Sequence, residues 1–353
     1  MSNADLINRY TPVIWLHKDE KYFPCSVDWL LEHSKLIDFN RGFDIAPPVT
    51  QLDLYNIAKQ YNFQRAADGE VVLSFTPDLY KGQVPLSKVP CYALVRETTD
   101  AIYISYIFVF AYNGEYSILG LGVAGMHPGD IEHITVEVNK ATNQLSRVFF
   151  SAHGTKDGRW VQAEDVEFMD NKIVAYCALN GHGMYPHNGT VFRLGGVIND
   201  YLGQGTLWQP KAQEFFKVDS PSFDPKTMGF FAYNSRIGGP ADRPNTEGIT
   251  GIADKGWIQA IDNPDPSFYS PPRIFSPTVA HVSYIAKRIV GFAIVYYLMY
   301  KLLHFVAKYV NKSAGSKSTF TLKQHIVTIL LAVVLYMLYK KVGLKILQKY
   351  APS

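Results

Sequence analysis

Ile134-Thr135-Val136-Glu137-Val138 alternates apolar and polar side chains with period two, which predicts a strand with one buried and one wet face. Similar runs, punctuated by Gly, Pro, Asn and Asp, lie on either side of it. They cover residues 71–75 after Asp68-Gly69, 101–112, 131–138, 147–152 and 173–179. No strand–helix–strand rhythm separates them, and the pattern suggests a helix only over 26–33, where Ser26 can cap a stretch containing Trp29 and Leu30. A sheet that is apolar on one face must cover that face with another layer. The reading is therefore a mainly β fold: an antiparallel β-sandwich, jelly-roll-like, over residues 1–261.

The composition agrees. Of 353 residues, 47% are hydrophobic and 18% charged, enough for a packed core and too apolar for a disordered chain. The 23 Tyr and 21 Phe beside 26 Gly and 20 Pro favour short strands joined by turns. Cys25, Cys91 and Cys177 are too few and scattered for a disulfide framework or zinc cluster, and are expected to be buried thiols in a reducing compartment. The opening MSNADLINRY has no apolar core of a secretory leader.

Charge divides the chain more sharply than composition does. The last acidic residue is Asp265: up to it 31 acidic residues face 22 basic ones, a net of −9, and beyond it stand 12 basic residues and no acidic one. An acidic body excludes a nucleic-acid groove, whereas a cationic, apolar tail suits an anionic membrane surface. Prolines 264, 266, 271, 272 and 277 mark 262–280 as a linker. After it, residues 289–300 and 326–339 are uncharged apolar runs of 12 and 14 residues, shorter than the roughly 20 a full span needs. Their flanks tip the reading towards the membrane. Lys287, Arg288, Lys308 and Lys340 can snorkel, Lys301 is expected to face a partner helix or the headgroups, and Tyr300 and Tyr339 suit an interface, so 281–353, with Lys341, is expected to be a membrane-anchoring, two-helix transmembrane hairpin, the alternative being a water-soluble helical hairpin docked on a partner.

One segment concentrates groups that can carry chemistry. In Gly125-Met-His127-Pro-Gly129-Asp130-Ile-Glu132-His133, strand alternation puts Asp130 and Glu132 on one face, with His127 on a turn just before them. Ser151-Ala-His153-Gly154 follows after a strand and turn. Two carboxylates and an imidazole form a candidate site for one divalent cation, Ca²⁺ or Mg²⁺; the same trio suits general acid–base work in a hydrolase, or is simply a polar surface turn. His182 and His187 flank a turn they are expected to hold by bonding loop carbonyls, the alternative being a cluster with His153 that binds metal or shuttles protons. His17 is expected to organise the exit of the first strand, and His133 to pack within the sheet. Gly-x-Ser-x-Gly, P-loop and His-Glu-x-x-His motifs are absent. Gly120-Leu-Gly122-Val-Ala-Gly125 precedes a strand and not a helix, so it lacks the helix N-terminus a dinucleotide would need.

Several blocks, taken together, resemble one family. Tyr10-Thr-Pro-Val-Ile-Trp-Leu-His17 through Pro24, Gly129-Asp130-Ile-Glu132-His133, Phe150-Ser-Ala-His153, Gly158-Arg-Trp160-Val and Ala178-Leu-Asn-Gly-His182-Gly-Met-Tyr185-Pro186-His187 occur in the order found in the vacuolar protein sorting-associated protein 62 family, over roughly residues 8–260. That family implies no defined activity, and the apolar tail lies outside its pattern. A remoter similarity is to the necrosis-inducing Nep1-like cytolysins, β-sandwiches with a cation used in membrane recognition. It implies that His127, Asp130, Glu132 and His153 are metal ligands, although Gly129 replaces a second His of that motif, Ile131 its Trp and Met126 its Gly.

The function expected from all this is binding or assembly by a membrane-anchored body, multi-pass in an intracellular or virion membrane. The acidic body would meet other proteins, in trafficking or as a structural layer such as a viral coat. The alternative is a cation-dependent hydrolase, or a lipid-headgroup or glycan binder, using His127, Asp130, Glu132 and His153.

Overall fold

The computed structural model describes residues 1–67, 69–118, 122–152, 158–193, 198–242, 247–254, 261, 274–275, 297 and 301. The long apolar runs become the spine of a six-stranded sheet. Elements are numbered in chain order: β5 (Cys91–Glu97), β6 (Ala101–Asn113), β9 (His127–Asn139), β10 (Leu145–Ser151) and β11 (Gly158–Gln162) pair antiparallel in the order β11-β10-β9-β6-β5, and Ala212–Glu214 adds a parallel strand to β5. Alternation along β6 sends Ile104, Tyr106, Phe108 and Phe110 to one core, and Ile107, Val109 and Ala111 to another. A strand buried on both faces needs a continuous apolar run, which is why residues 106–111 do not alternate.

The first core is closed by a second sheet. There β1 (Val13–Leu16) lies between β13 (Lys172–Cys177) and Thr206–Trp208, with β12 (Phe168–Met169) and β14 (Met184–Tyr185) on β13. Ile14, Ile173, Ala175 and Trp208 from this layer meet Phe108, Ile134 and Val136. The other core is covered by α2 (Val27–Glu32), α3 (Gln51–Gln60) and a third sheet of β2 (Lys35–Asp38), β3 (Phe43–Ile45) and β4 (Val71–Ser74) with two later short strands. β7 (Tyr116–Ile118) and β8 (Gly122–Ala124), a two-stranded hairpin, belong to a second compact unit made of 116–125, 192–199 and 275–353.

The mainly β reading holds, with two corrections. The sheets are mixed and not purely antiparallel: β1 runs parallel to β13, and Arg236–Ile237 parallel to β4. The supposed wet face of residues 134–138 is also largely dry. Thr135 is fully buried and shares a 2.8 Å hydrogen bond with Ser105 across β6, while Glu137 pairs with Arg147.

Ser26 caps α2 as its sequence suggests, accepting from the Trp29 N–H. Helices also appear where none was expected: α1 (Asn3–Tyr10) and α3 each begin with a capping box, Ser2 with Asp5 and Thr50 with Asp53, and Pro225–Met228 forms a single turn. Replacing the α3 cap, Thr50→Ala, strands the Asp53 N–H that Thr50 Oγ1 accepts at 3.1 Å. The expected loss is about 1 kcal/mol in urea unfolding.

The two-helix, multi-pass membrane localisation is not upheld: no helix among the described residues is long and apolar enough to cross a membrane. Helical runs of 12 and 14 residues reach only about 18 and 21 Å, against a hydrocarbon core of about 30 Å. Of the anchoring set, Lys287, Arg288, Tyr300, Lys308, Tyr339, Lys340 and Lys341 lie outside the described residues. Lys301 is exposed and helical, its Nζ 5.6 Å from the centre of the Tyr297 ring.

Candidate functional site

Asp130 and Glu132 project from the same face of β9, opposite Phe110 and Phe108 of β6, and both are buried. Neither oxygen of Asp130 is left to water. Oδ1 accepts from the Ile131 N–H at 3.0 Å, and Oδ2 accepts from Nδ1 of His182 at 2.8 Å. His182 arrives from a tight turn after β13, where its N–H donates to the Ala178 carbonyl and both Asn180 and His182 take left-handed φ near 65° and 54°. Its ring is fully buried and lies flat on Phe110, centroids 3.8 Å apart at 6°. The other nitrogen, Nε2, donates to the Tyr22 carbonyl at 3.0 Å.

A third chain segment completes the cluster. Glu20 Oε1 accepts from the N–H groups of Lys21 and Tyr22 at 2.9 Å each, and Oε2 from that of Asn180 at 2.8 Å. The same carboxylate faces His182 Nε2 at 3.9 Å. Glu20 thus ties the segment after β1 to the turn after β13. The segment then runs along β6: Pro24 bridges to Phe110 and the Cys25 N–H donates to the Val109 carbonyl, occupying the edge that β5 has left. Burial, reinforced by Glu20, Glu132 and Asp130, holds the neighbouring Cys177 thiol far above its ordinary pKa, so it is no nucleophile.

Three half-buried tyrosines stand beside this cluster. Tyr22 meets Tyr112 edge-on at 4.9 Å, and Tyr80 stacks on Tyr112 at 4.1 Å. Burial, then the neighbouring Tyr22, Tyr80 and Glu115, push the Tyr112 hydroxyl up to about 12. Gly114 is required here, because a Cβ would come within 2.3 Å of the Tyr22 ring.

The four residues expected to bind a cation do not come together as ligands among the described residues. His127 turns back on its own loop, Nδ1 donating to the Gly129 carbonyl at 2.8 Å. Asp130 is committed to His182, and His153 lies outside the described residues. No group of three His, Cys, Asp or Glu among the described residues is arranged to hold a metal ion. Among the described residues, His127 and Asp130 are thus engaged in internal ties. His182 does hold its turn, though through Asp130 as well as a carbonyl. His17 Nδ1 accepts from the Asp19 N–H at the exit of β1, and His133 packs within the sheet against Phe149. The residues that sequence reasoning passed over are Glu20 and the pairing of His182 with Asp130.

The blocks that meet at this cluster, 20–24, 129–133 and 178–182, also fall inside a family match. The model of the vacuolar protein sorting-associated protein 62 family matches residues 2–206, more than half of the chain. The chain belongs to that family. No curated protein matches the chain at a significant level. Among solved structures, similarity is found to NLPPya in complex with glucosamine, at 10% identity and TM-score 0.38 over 76% of this chain and 92% of that one. A non-toxic HaNLP3 protein matches at 10% identity and TM-score 0.38, over 75% and 92%. Necrosis and Ethylene inducing Protein 2, from the causal agent of cocoa's witches' broom disease, matches at 13% and 0.31, over 60% and 74%.

Proposed function

We infer that this member of the family is a binding component and not an enzyme, with the Glu20–His182–Asp130 cluster as the tie that shapes its surface. One observation carries the reading: the working nitrogen of the Asp–His pair is capped. In a hydrolase the Nε2 end of such a dyad must face a nucleophile or substrate. Here it donates to the Tyr22 carbonyl, and the ring is sealed against Phe110. The net charge of −9 up to Asp265 favours basic protein partners, whose encounter it would steer in a salt-dependent way. A role in sorting, as the family's name has it, would then be exercised by binding.

The test has two arms. Ester, phosphoester and glycoside libraries, with and without added Ca²⁺ or Mg²⁺, are expected to show no turnover by the full chain. Partners captured on it at low ionic strength are expected to elute as salt rises to about 0.5 M, where the screening length is only a few ångströms. Turnover that disappears in a folded His182→Gln variant would overturn the reading, as would capture indifferent to salt.

A further inference from the structure

On the opposite face of the central sheet from Asp130, a half-open cleft of about 450 Å³ is lined by buried Leu94, Phe215, Phe231, Ile252 and Ile261. Phe231 anchors its floor, stacked on Phe215 at 3.8 Å and edge-on to Tyr92 at 5.2 Å. The volume lies in the range of small-molecule sites, which are mostly apolar with few polar groups. Among the described residues its lining includes one cation, Lys217, and one anion, Asp219.

A second observation concerns the cleft's lip. Phe63 is exposed and held at φ 54°, directly after Asn62 at 53°. Its N–H donates to the Ala58 carbonyl at 2.8 Å and so closes the end of α3. Left-handed residues at helix ends are normally Gly or Asn, and a bulky side chain there is strained. The cap alone would be made at lower cost by glycine. Phenylalanine adds an apolar ring that leans on Tyr55, centroids 5.7 Å apart, and is thereby held on the lip of the cleft; backbone strain of this kind gathers at ligand clamps.

We propose that this cleft binds the hydrocarbon chain of a single-chain amphiphile, with Phe63 closing over it and the headgroup left at the mouth. Because Lys217 and Asp219 offset each other, the cleft selects the chain and is nearly indifferent to the sign of the head. This site is separate from the Asp130 cluster, so neither proposal depends on the other.

Dansylaminoundecanoic acid, added to the full chain below its micelle concentration, tests the assignment by its fluorescence. The expected result is saturable binding of one probe per chain, with displacement by dodecanol and by dodecanoate at concentrations within about tenfold of each other. Val218→Trp, at the rim, should weaken binding at least about tenfold by filling the cleft, and Phe63→Ala should do the same by removing the lip. Phe63→Gly should bind as weakly as Phe63→Ala, yet melt no lower than the parent, because it relieves the left-handed strain. Absence of saturable binding would overturn the proposal. So would affinity unchanged in both Val218→Trp and Phe63→Ala, displacement by dodecanoate alone, or a lowered melting temperature in Phe63→Gly, which would make Phe63 a packing residue.

Discussion

Asp130→Ala is expected to destabilise the protein by about 3–5 kcal/mol, because it leaves a buried imidazole with no acceptor at Nδ1. His182→Ala should cost a similar amount, since Asp130 then stays buried with its Oδ2 partner gone, and the Tyr22 carbonyl loses the ring nitrogen it faces at 3.0 Å. The double variant should cost much less than the two single losses together, because each single loss is chiefly the penalty of an abandoned partner. Urea unfolding of the four proteins gives the coupling directly. A cation site predicts something different: Asp130→Ala would then alter stability only when Ca²⁺ or Mg²⁺ is present.

The second large effect is one of pH and belongs to His133. Burial alone pushes this imidazole down to about 4, and its Nδ1 has no hydrogen-bond partner among the described residues. The unfolded chain binds the proton near pH 6.5 and the folded chain only near 4, so between those values the unfolded state holds more protons. Stability is therefore intact above about pH 6.5 and is lost as pH falls towards 4, by on the order of 3 kcal/mol in all. His133→Phe keeps a ring against Phe149 and removes the titration. Its advantage over the parent should be small at pH 7.5 and grow by that amount on acidification to pH 4. An advantage that stays constant across the range would show that His133 does not titrate in this way.

How much of this was legible from the chain depends on how local each feature is. β6 and β9 announce themselves in long β-type runs, and Ser26 marks the start of α2. α1 and α3 escape notice because their capping boxes use Asp5 and Asp53 where Glu is the usual signal. The parallel pairing of β1 with β13 joins segments far apart in the chain, and nothing in either strand specifies the partner. The site divides along the same line. Strand alternation places Asp130 and Glu132 on one face, but His182 lies 52 residues beyond Asp130, and its left-handed turn is needed to aim the ring. Glu20 is further off still, and its role is to gather backbone N–H groups, which leaves no side-chain motif to read.

The account rests on His182 being a buried, doubly hydrogen-bonded tie and not a ligand or a catalyst. Nitrogen-15 NMR of the histidine rings, assigned by comparison with His182→Gln, tests it most directly. The prediction is that the His182 ring signals are those of a buried, hydrogen-bonded imidazole, with the Nε2 proton slow to exchange with solvent and both nitrogens unmoved by Ca²⁺, Mg²⁺ or a chelator. A ring whose proton exchanges freely, or a ring nitrogen that shifts as divalent cation is added, would contradict it.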